Sequence, residues 1–502
     1  MPINIVEAGF VFQYQCMIDE NVKIHDLFSL ELKVGFVAQR TTKLNDFAFN
    51  IWMFIPNSLD INRFTYTKDR FYRDLTTHIR LITPTFLLRN IAEVSTPPFS
   101  SLEESFTRLA QTPNRTNKIN YEYQLKMFLS ILKSSLREGV YHAISSKLDH
   151  DRDALLQSYL SNVVKIADRY RALGRIINVP SVSNELVDFF LFGDEFMSNL
   201  IELHTFRLIQ MLKKSHPDNF DRMKEPLMTL ANSEIAYKKE KGYLVVDESN
   251  KKNNQELVFR LGMLKKYAES DLFLDVKKRK DGVWIEQILF SVAAGLSMIF
   301  ATIVAFSVQL KYGIFTVPMF VALVVSYMLK DRIKELARFY LAHKMTKRYF
   351  DHKIRMSSHD NEIGWVRESM DFISEKNVPV EVLNKRDRSS ILDANNRANN
   401  ERIILYRTLV RLNRESIDAN SEYPVAGVNE IFRLNFSNFI QKMDNTEFPL
   451  YYPDGHEGFK IVNGEKIYYL NLVLQAKEDD HWDYKRYRII FNRKGIQEIE
   501  AF

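Results

Sequence analysis

The densest group of side chains able to hold a metal ion is the sequence DHDRD, which contains Asp149, His150, Asp151 and Asp153. A metal-dependent hydrolase needs such ligands around one ion, together with further His or Asp side chains from elsewhere in the fold. At the start of a helix, the same aspartates would instead cap the backbone and interact favourably with the helix dipole. Both interpretations stay open, and the capping one needs no distant partner.

A second polar group combines Asp194, Glu195 and His204 on one predicted helix, but it lacks the His-Glu-x-x-His spacing of a zinc helix. The chain has no phosphate-binding Gly-rich loop, no dinucleotide-binding fingerprint and no Gly-x-Ser-x-Gly nucleophile elbow. Its single cysteine, Cys16, has no second cysteine with which to form an intramolecular disulfide. The sequence therefore predicts no catalytic residue, no cofactor and no metal site.

Two segments, 65–74 and 484–488, alternate aromatic and basic residues in a pattern that also suits stacking on single-stranded nucleic acid. The charge distribution argues against that function. The net charge is +6, yet the segment from Lys277 to Arg355 has fourteen Lys and Arg against five Asp and Glu. That segment holds a surplus of nine positive charges, so the rest of the chain is acidic by three.

The most apolar part of the chain is residues 285–329, in which Gln287 to Leu310 and Tyr312 to Leu329 carry no charge. An apolar helix needs about 20 residues to cross roughly 30 Å of hydrocarbon. The pattern predicts a two-helix transmembrane hairpin with a very short turn at Lys311. Basic residues flank both ends, which predicts that the N- and C-termini are both cytoplasmic and that the partner lipids are anionic.

Particular residues are expected to define this membrane segment. Ten are predicted at its flanks and interfaces: Lys277, Lys278, Arg279, Lys280, Trp284, Tyr312, Tyr327, Lys330, Arg332 and Lys334. Five small residues predict a face for close helix packing, either within the hairpin or between protomers: Ser291, Gly295, Ser297, Ala301 and Ala305.

Outside the membrane segment, apolar spacing predicts helices over 121–140, 151–174, 184–214, 221–240 and 254–270. The expected domains are a strand-rich N-terminal domain (1–96), a helical cytosolic domain (100–275), the hairpin (285–329), an amphipathic stalk helix (330–356), a polar linker (357–400) and a strand-rich C-terminal domain (401–502). The linker is expected to contain a short helix near Trp365 to Glu375. Asn463-Gly464 predicts a hairpin turn. The two strand-rich regions form either one composite sheet or two separate domains.

These observations predict an α+β multidomain membrane protein, with a helical cytosolic domain and strand-rich N- and C-terminal regions around a two-helix transmembrane hairpin. The expected function is that of a membrane-anchored cytosolic scaffold, sensor or effector in the cell (inner) membrane. A homo-oligomer or another protein is the expected partner besides lipid. Two alternatives stay open, a membrane-tethered enzyme with a metal-dependent hydrolase site and an oligomeric pore or transport accessory.

Overall fold

The computed structural model describes residues 5–502 except 8–9, 13–16, 94–95, 147, 314–315, 347–348, 359–360, 390–400, 456–457 and 479–480. The fold is a mixture of α and β structure, with 53% helix and 28% strand. The α-helices in chain order are α1 (Lys68–Asp74), α2 (Leu88–Ala92), α3 (Phe99–Gln111), α4 (Arg115–Ser145), α5 (Asp149–Ile177), α6 (Asn184–Ser215), α7 (Pro217–Lys241), α8 (Lys251–Glu269), α9 (Val283–Tyr312), α10 (Val317–Thr346), α11 (Val380–Arg386), α12 (Arg414–Ala419) and α13 (Ser437–Ile440).

The strands form an eight-stranded sheet, a four-stranded sheet and two two-stranded sheets. In chain order they are β1 (Ile5–Glu7), β2 (Phe10–Phe12), β3 (Ile18–Asp26), β4 (Ser29–Val37), β5 (Leu44–Ile55), β6 (Leu75–Leu81), β7 (Asp275–Lys280), β8 (His352–Ser358), β9 (Asn361–Ile373), β10 (Arg402–Asn413), β11 (Gly427–Asn435), β12 (Glu447–Pro453), β13 (Phe459–Glu465), β14 (Tyr468–Glu478), β15 (His481–Asn492) and β16 (Gly495–Ala501).

The chain divides into two units. The helical unit consists of Met1–Met17, Arg80–Leu274 and Ser421–Asn429, and it contains α2 to α8. The apolar spacing predicted the five long helices α4 to α8, and the structure confirms them. In the helical core, the ring of Tyr170 stacks between Phe128 and Phe190, at centroid distances of 5.8 and 5.1 Å. Gly193 makes this stack possible, because a Cβ there would lie 2.1 Å from the Tyr170 hydroxyl.

The sheet unit consists of Ile18–Ile79, Asp275–Asn420 and Glu430–Phe502. Its main sheet has eight strands in the order β16-β15-β14-β5-β10-β9-β8-β7, and a second sheet has the order β3-β4-β11-β6. Strand β5 of the N-terminal region lies between β14 and β10 of the C-terminal region. The two strand-rich regions of the sequence therefore build one composite sheet.

The central strand β5 is apolar on both of its faces because both faces are covered. Ile51 and Met53 face the second sheet across a cavity of about 30 Å³, which Leu32 and Phe432 also line. Alternate residues point the other way. On that opposite side, the buried residues cluster with Val378 and Val382, which lie before and within α11. The eight-stranded sheet is thus the middle layer of the sheet unit.

The predicted two-helix transmembrane hairpin is wrong. Within the described residues, one helix, α9, is long and apolar enough to cross a membrane. Helix α10 packs antiparallel against α9, with the Ser326 hydroxyl donating to the Ala301 carbonyl at 3.3 Å and the Arg338 guanidinium 5.1 Å from the Phe290 ring centroid. This register places the charged half of α10, from Lys330 onward, beside the first half of α9.

The uncharged zone that the two helices share is therefore short. It ends at Leu329 on α10, and from Val317 to Leu329 a helix rises about 20 Å. The hydrocarbon core of a bilayer is about 30 Å thick. The length of the uncharged segments along the chain overstates this zone, because the register between the two helices is not visible in the sequence. The fold is a mixed α/β two-unit protein with one candidate apolar helix.

Two further expectations differ from the structure. The stalk helix, expected to reach residue 356, ends at Thr346, and β8 begins at His352. The short helix expected near Trp365 to Glu375 is strand β9, and much of the expected polar linker is therefore part of the main sheet. Another part of the expected linker forms α11 (Val380–Arg386), and residues 390–400 lie outside the described residues.

Candidate functional site

A cavity of about 550 Å³ lies beside the first turns of α9, within the sheet unit. The chain leaves the main sheet at Lys280 on β7 and returns to it at His352 on β8, and these two residues face each other in the strand register. Residues near both points line the cavity, together with one face of α1. The lining consists of Lys68, Asp69, Tyr72, Lys278, Arg279, Lys280, Asp281, Gly282, Ile285, Glu286, Leu289, Phe290, Tyr349, Phe350, Asp351 and His352.

A fully buried carboxylate, Glu368 on β9, contacts two of the residues that line this cavity, Lys278 and His352. The register pairs it directly with His352 on β8, whose Nδ1 lies 3.2 Å from Glu368 Oε1. Lys278 Nζ lies 2.5 Å from the same oxygen, and the Tyr406 hydroxyl donates to Oε2 at 2.7 Å. Burial by itself would raise the pKa of Glu368, but His352, Lys278 and Tyr406 together hold that pKa below its ordinary value. Glu368 is therefore a charged group that fixes Lys278 and His352 in position.

A second carboxylate, Asp351, connects the cavity to α1. It accepts hydrogen bonds from Lys68 Nζ at 2.7 Å, from the Tyr72 hydroxyl at 2.9 Å and from the Met370 amide at 2.9 Å. Burial, with the negative charges of Asp351 and Glu368, raises the pKa of Tyr72 far above its ordinary value. Lys278 lies over the Tyr72 ring, with Nζ 4.7 Å from the centroid. Tyr72 thus stays a neutral donor to Asp351, and its ring lies beside Lys278, the partner of Glu368.

Glu430 on β11 is a second buried carboxyl group of the sheet unit. It is fully buried, and neither carboxyl oxygen has a hydrogen-bond partner among the described residues. Burial and the nearby charge of Glu368 raise its pKa well above the ordinary value, and Lys278 only partly opposes them. The pKa values of these two carboxyl groups are therefore shifted in opposite directions, that of Glu368 downward and that of Glu430 upward.

The cavity has a charged side and an apolar side. On the charged side, most cations already have a carboxylate of the same chain: Lys280 pairs with Glu286 at 3.0 Å, and Lys68 pairs with Asp351 at 2.7 Å. Ile285, Leu289, Phe290 and Phe350 form the apolar side. No Ser, Thr or Cys is among the cavity-lining residues of the described chain. The cavity thus combines charged groups that are mostly paired with one apolar wall.

The predicted membrane-flank residues occupy three different settings. Lys277, Lys278, Arg279 and Lys280 form β7, the basic edge strand of the main sheet, and Lys278 is held by Glu368. Trp284 and Tyr312 lie in the first and last turns of α9 and are 84% and 49% exposed. On α10, Tyr327 is 62% exposed and carries Lys330 over its ring at 3.9 Å. Arg332 and Lys334 follow on the same helix, where Lys334 pairs with Asp331 at 3.6 Å.

The predicted small-residue face is used in part for packing of α9 on α10. Ser297 is buried, and the Ala301 carbonyl accepts the hydrogen bond from Ser326. Ala305 is partly buried, whereas Ser291 and Gly295 are exposed. A Cβ added at Gly295 would meet no atom within 4 Å. The contact between the helices therefore follows Ser297 and Ala301 and leaves the Ser291–Gly295 side open.

The aspartates of the DHDRD segment do not converge on a metal site. They begin α5, where Asp149 pairs with the buried Arg152 and Asp153 pairs with Arg222 at 3.1 Å. His150 is exposed. No group of three or more His, Cys, Asp or Glu among the described residues is placed to hold a metal ion.

The polar residues of α6 are partnered inside the helical unit. Asp194 accepts hydrogen bonds from the Tyr237 and Tyr243 hydroxyls at 2.8 and 3.0 Å, and Glu195 pairs with Arg260 at 2.7 Å. Burial, aided by nearby cations such as Arg207, lowers the pKa of His204 to about 4. His204 is therefore neutral near pH 7, and these three residues form no common site.

Several basic residues of the two aromatic-rich segments have acidic partners in the sheet unit. Lys68 pairs with Asp351, Lys485 pairs with Glu20 at 2.7 Å, and Arg486 pairs with Asp387 at 3.1 Å. Comparison of the chain with family models, with curated proteins and with solved structures gave no match.

Proposed function

We propose that the protein is a membrane-attached scaffold, sensor or effector, which uses α9 and the adjoining part of α10 to enter a bilayer. The observation that carries this proposal is the exposure of α9. Its most apolar stretch of 18 residues has only 11% of its residues buried inside the molecule. Leaving such a surface in water is unfavourable by about 25 cal/mol for each Å², so a lipid environment or a partner must cover it.

The register between α9 and α10 supports insertion into a single leaflet. Near the connecting turn, both helices present exposed apolar side chains, such as Phe306, Leu310 and Phe320. The shared uncharged zone of about 20 Å exceeds the depth of one leaflet, which is about 15 Å, and is shorter than the whole core. Both ends of the helical pair join neighbouring strands β7 and β8. Insertion of this kind leaves the whole sheet unit on one side of the membrane.

The charges beyond that zone support the cytoplasmic face of the cell (inner) membrane as the site of attachment. Lys330, Arg332 and Lys334 follow the apolar part of α10 at the depth where lipid headgroups would lie. Basic residues beside an inserted segment favour the cytoplasmic side and anionic lipids. On this proposal the N- and C-termini are both cytoplasmic.

Flotation with lipid vesicles tests the attachment. The full chain is mixed with vesicles containing about one-third anionic lipid and centrifuged through a density gradient. We expect the wild-type protein to float with the vesicles, and the variant Phe306→Asp/Phe320→Asp to stay at the bottom because charge is costly in hydrocarbon. Phe64→Asp, at a residue that is 86% exposed on the sheet unit, is the matched control and should float. A wild-type protein that remains in the dense fraction would overturn the proposal.

The depth of insertion is tested separately with a thiol label. The background Cys16→Ser removes the only cysteine, and Lys311→Cys places one at the turn between the helices. In sealed vesicles with the protein outside, a membrane-impermeant maleimide trapped inside should not react if insertion stops in the outer leaflet. Labelling from inside would show that the turn crosses the bilayer and would contradict one-leaflet insertion, while leaving attachment intact.

A further inference from the structure

Strands β12 and β13 form a two-stranded arm that pairs with no other strand in the described parts of the chain. The register places Phe448, Leu450 and Val462 on one face and Tyr451 and Ile461 on the other. An isolated two-stranded hairpin is only marginally stable in water. The arm nevertheless exposes seven large apolar side chains, which are Phe448, Leu450, Tyr451, Tyr452, Phe459, Ile461 and Val462.

The two outer edges of the arm differ in their ability to accept another strand. Pro449 and Pro453 on β12 have no N–H group, so these positions must point away from the ladder with β13. Their cross-strand partners on β13 are Asn463 and Phe459. By the two-residue period, Phe459, Ile461 and Asn463 direct their N–H groups to the outer edge of β13. The outer edge of β12 is thus blocked by proline, and the outer edge of β13 is open.

We propose that the arm is a dimerisation surface, and that its occupant is the β13 strand of a second copy of this chain. Two β13 edges pair antiparallel about a two-fold axis and form a four-stranded sheet in the order β12-β13-β13-β12. Both outer edges of that sheet carry prolines, so the assembly closes at two copies. With Val462 on the axis, Lys460 lies opposite Gly464 of the other copy, and no like charges face each other.

The side chains of β13 beside the open edge fit this occupant. Phe459, Ile461 and Val462 are each at least half exposed. Edge-to-edge pairing covers part of these side chains and gives partners to the outward N–H groups of β13. Asp454, which follows β12 directly, carries a negative charge that opposes insertion of this end of the arm into an anionic bilayer.

The oligomeric state of the full chain in detergent tests the proposal, with light scattering used to subtract the detergent mass. We expect the wild-type protein to show twice the chain mass. Ile461→Pro removes one outward N–H from β13 and should shift the protein to a single chain mass. Pro449→Ala/Pro453→Ala opens the β12 edge and should produce assemblies larger than two. A wild-type protein that is monomeric at tens of micromolar would overturn the proposal.

A disulfide test does not depend on a disruptive variant. On a Cys16→Ser background, Val462→Cys places two thiols at a non-hydrogen-bonded pair across the axis, where Cα atoms are about 4.5 Å apart. Mild oxidation should convert most of this variant into a covalent dimer. Ile461→Cys, one residue away and opposite Asn463, is the matched control and should cross-link several-fold less. Equal cross-linking of the two variants, or none of Val462→Cys, would contradict the two-fold pairing.

Discussion

At the scale of single residues, the sheet unit contains two fully buried carboxyl groups whose pKa values are shifted in opposite directions. Glu368 has three partners, whereas Glu430 has none among the described residues. Neither residue can be predicted from the sequence, because Lys278, His352 and Tyr406 are distant along the chain and meet Glu368 only through the strand register. A Glu at an inward-facing position of an apolar strand would indicate a buried carboxyl group. That position can be recognised only after the strand has been assigned.

The raised pKa of Glu430 predicts that the free energy of unfolding depends on pH. The pKa of Glu430 is raised on folding, so between its ordinary and its raised value the folded state binds more protons than the unfolded state. Stability contributed by such a group is complete at acid pH and falls as pH rises. Glu430→Met removes both the titration and the unpartnered oxygens, and should stabilise the protein by about 1–3 kcal/mol at pH 5 and by more at pH 8.

Urea unfolding of the wild-type protein and of this variant, at pH 5 and pH 8, measures the difference. Glu381→Gln on α11, an exposed glutamate, serves as the control and should leave stability unchanged within about 0.5 kcal/mol at both pH values. If Glu430→Met gave the same gain at both pH values, Glu430 would not be held protonated in the folded protein.

At the scale of elements, the sequence predicted helices well and strands unevenly. The helices α4 to α8 have apolar residues at helical spacing over many turns, which leaves little ambiguity. Strands β15 and β16 are joined by a tight turn at Arg493 and Lys494. Asn463-Gly464, in contrast, lies inside β13, where Gly464 leaves room for the Leu450 side chain. The Asn-Gly pair therefore continues a strand and forms no turn, because cross-strand packing decides its conformation. A single sequence does not show that packing.

Strand β9, expected to be a linker with a short helix, allows a prediction about close strand pairing. Gly364 on β9 faces Leu412 on β10, and a Cβ at Gly364 would lie 2.2 Å from the Arg411 carbonyl oxygen. Gly364→Ala should therefore destabilise the protein by about 1–3 kcal/mol, since the backbone must move. Gly262→Ala on the exposed face of α8 meets no atom within 4 Å and should stabilise it by about 0.5–1 kcal/mol.

Thermal unfolding of these two alanine variants makes the comparison. An unchanged midpoint for Gly364→Ala would mean that β9 and β10 are not in this close register.

At the scale of the whole molecule, the two units are interleaved along the chain. The helical unit takes Arg80–Leu274 and then the short segment Ser421–Asn429, which lies between two segments of the sheet unit. The domains predicted from the sequence were each continuous, because composition changes mark only where one kind of structure gives way to another. The nine residues Ser421–Asn429 are too few to change the local composition, although they include the buried apolar residues Tyr423 and Val425.

This return segment gives a test of the interleaving. Tyr423 is 4% exposed in the helical unit, donates from its hydroxyl to Gln124 Oε1 on α4 at 2.5 Å, and packs edge-on against Phe86. Tyr423→Ala removes this ring and should cost about 3–5 kcal/mol. Hydrogen exchange should therefore accelerate for α4 amides, which are far from residue 423 in sequence. Tyr451→Ala, at a tyrosine that is 64% exposed on the arm, is the control and should leave α4 exchange unchanged. If Tyr423→Ala instead accelerated exchange only in its sequence neighbours, the segment would not belong to the helical core.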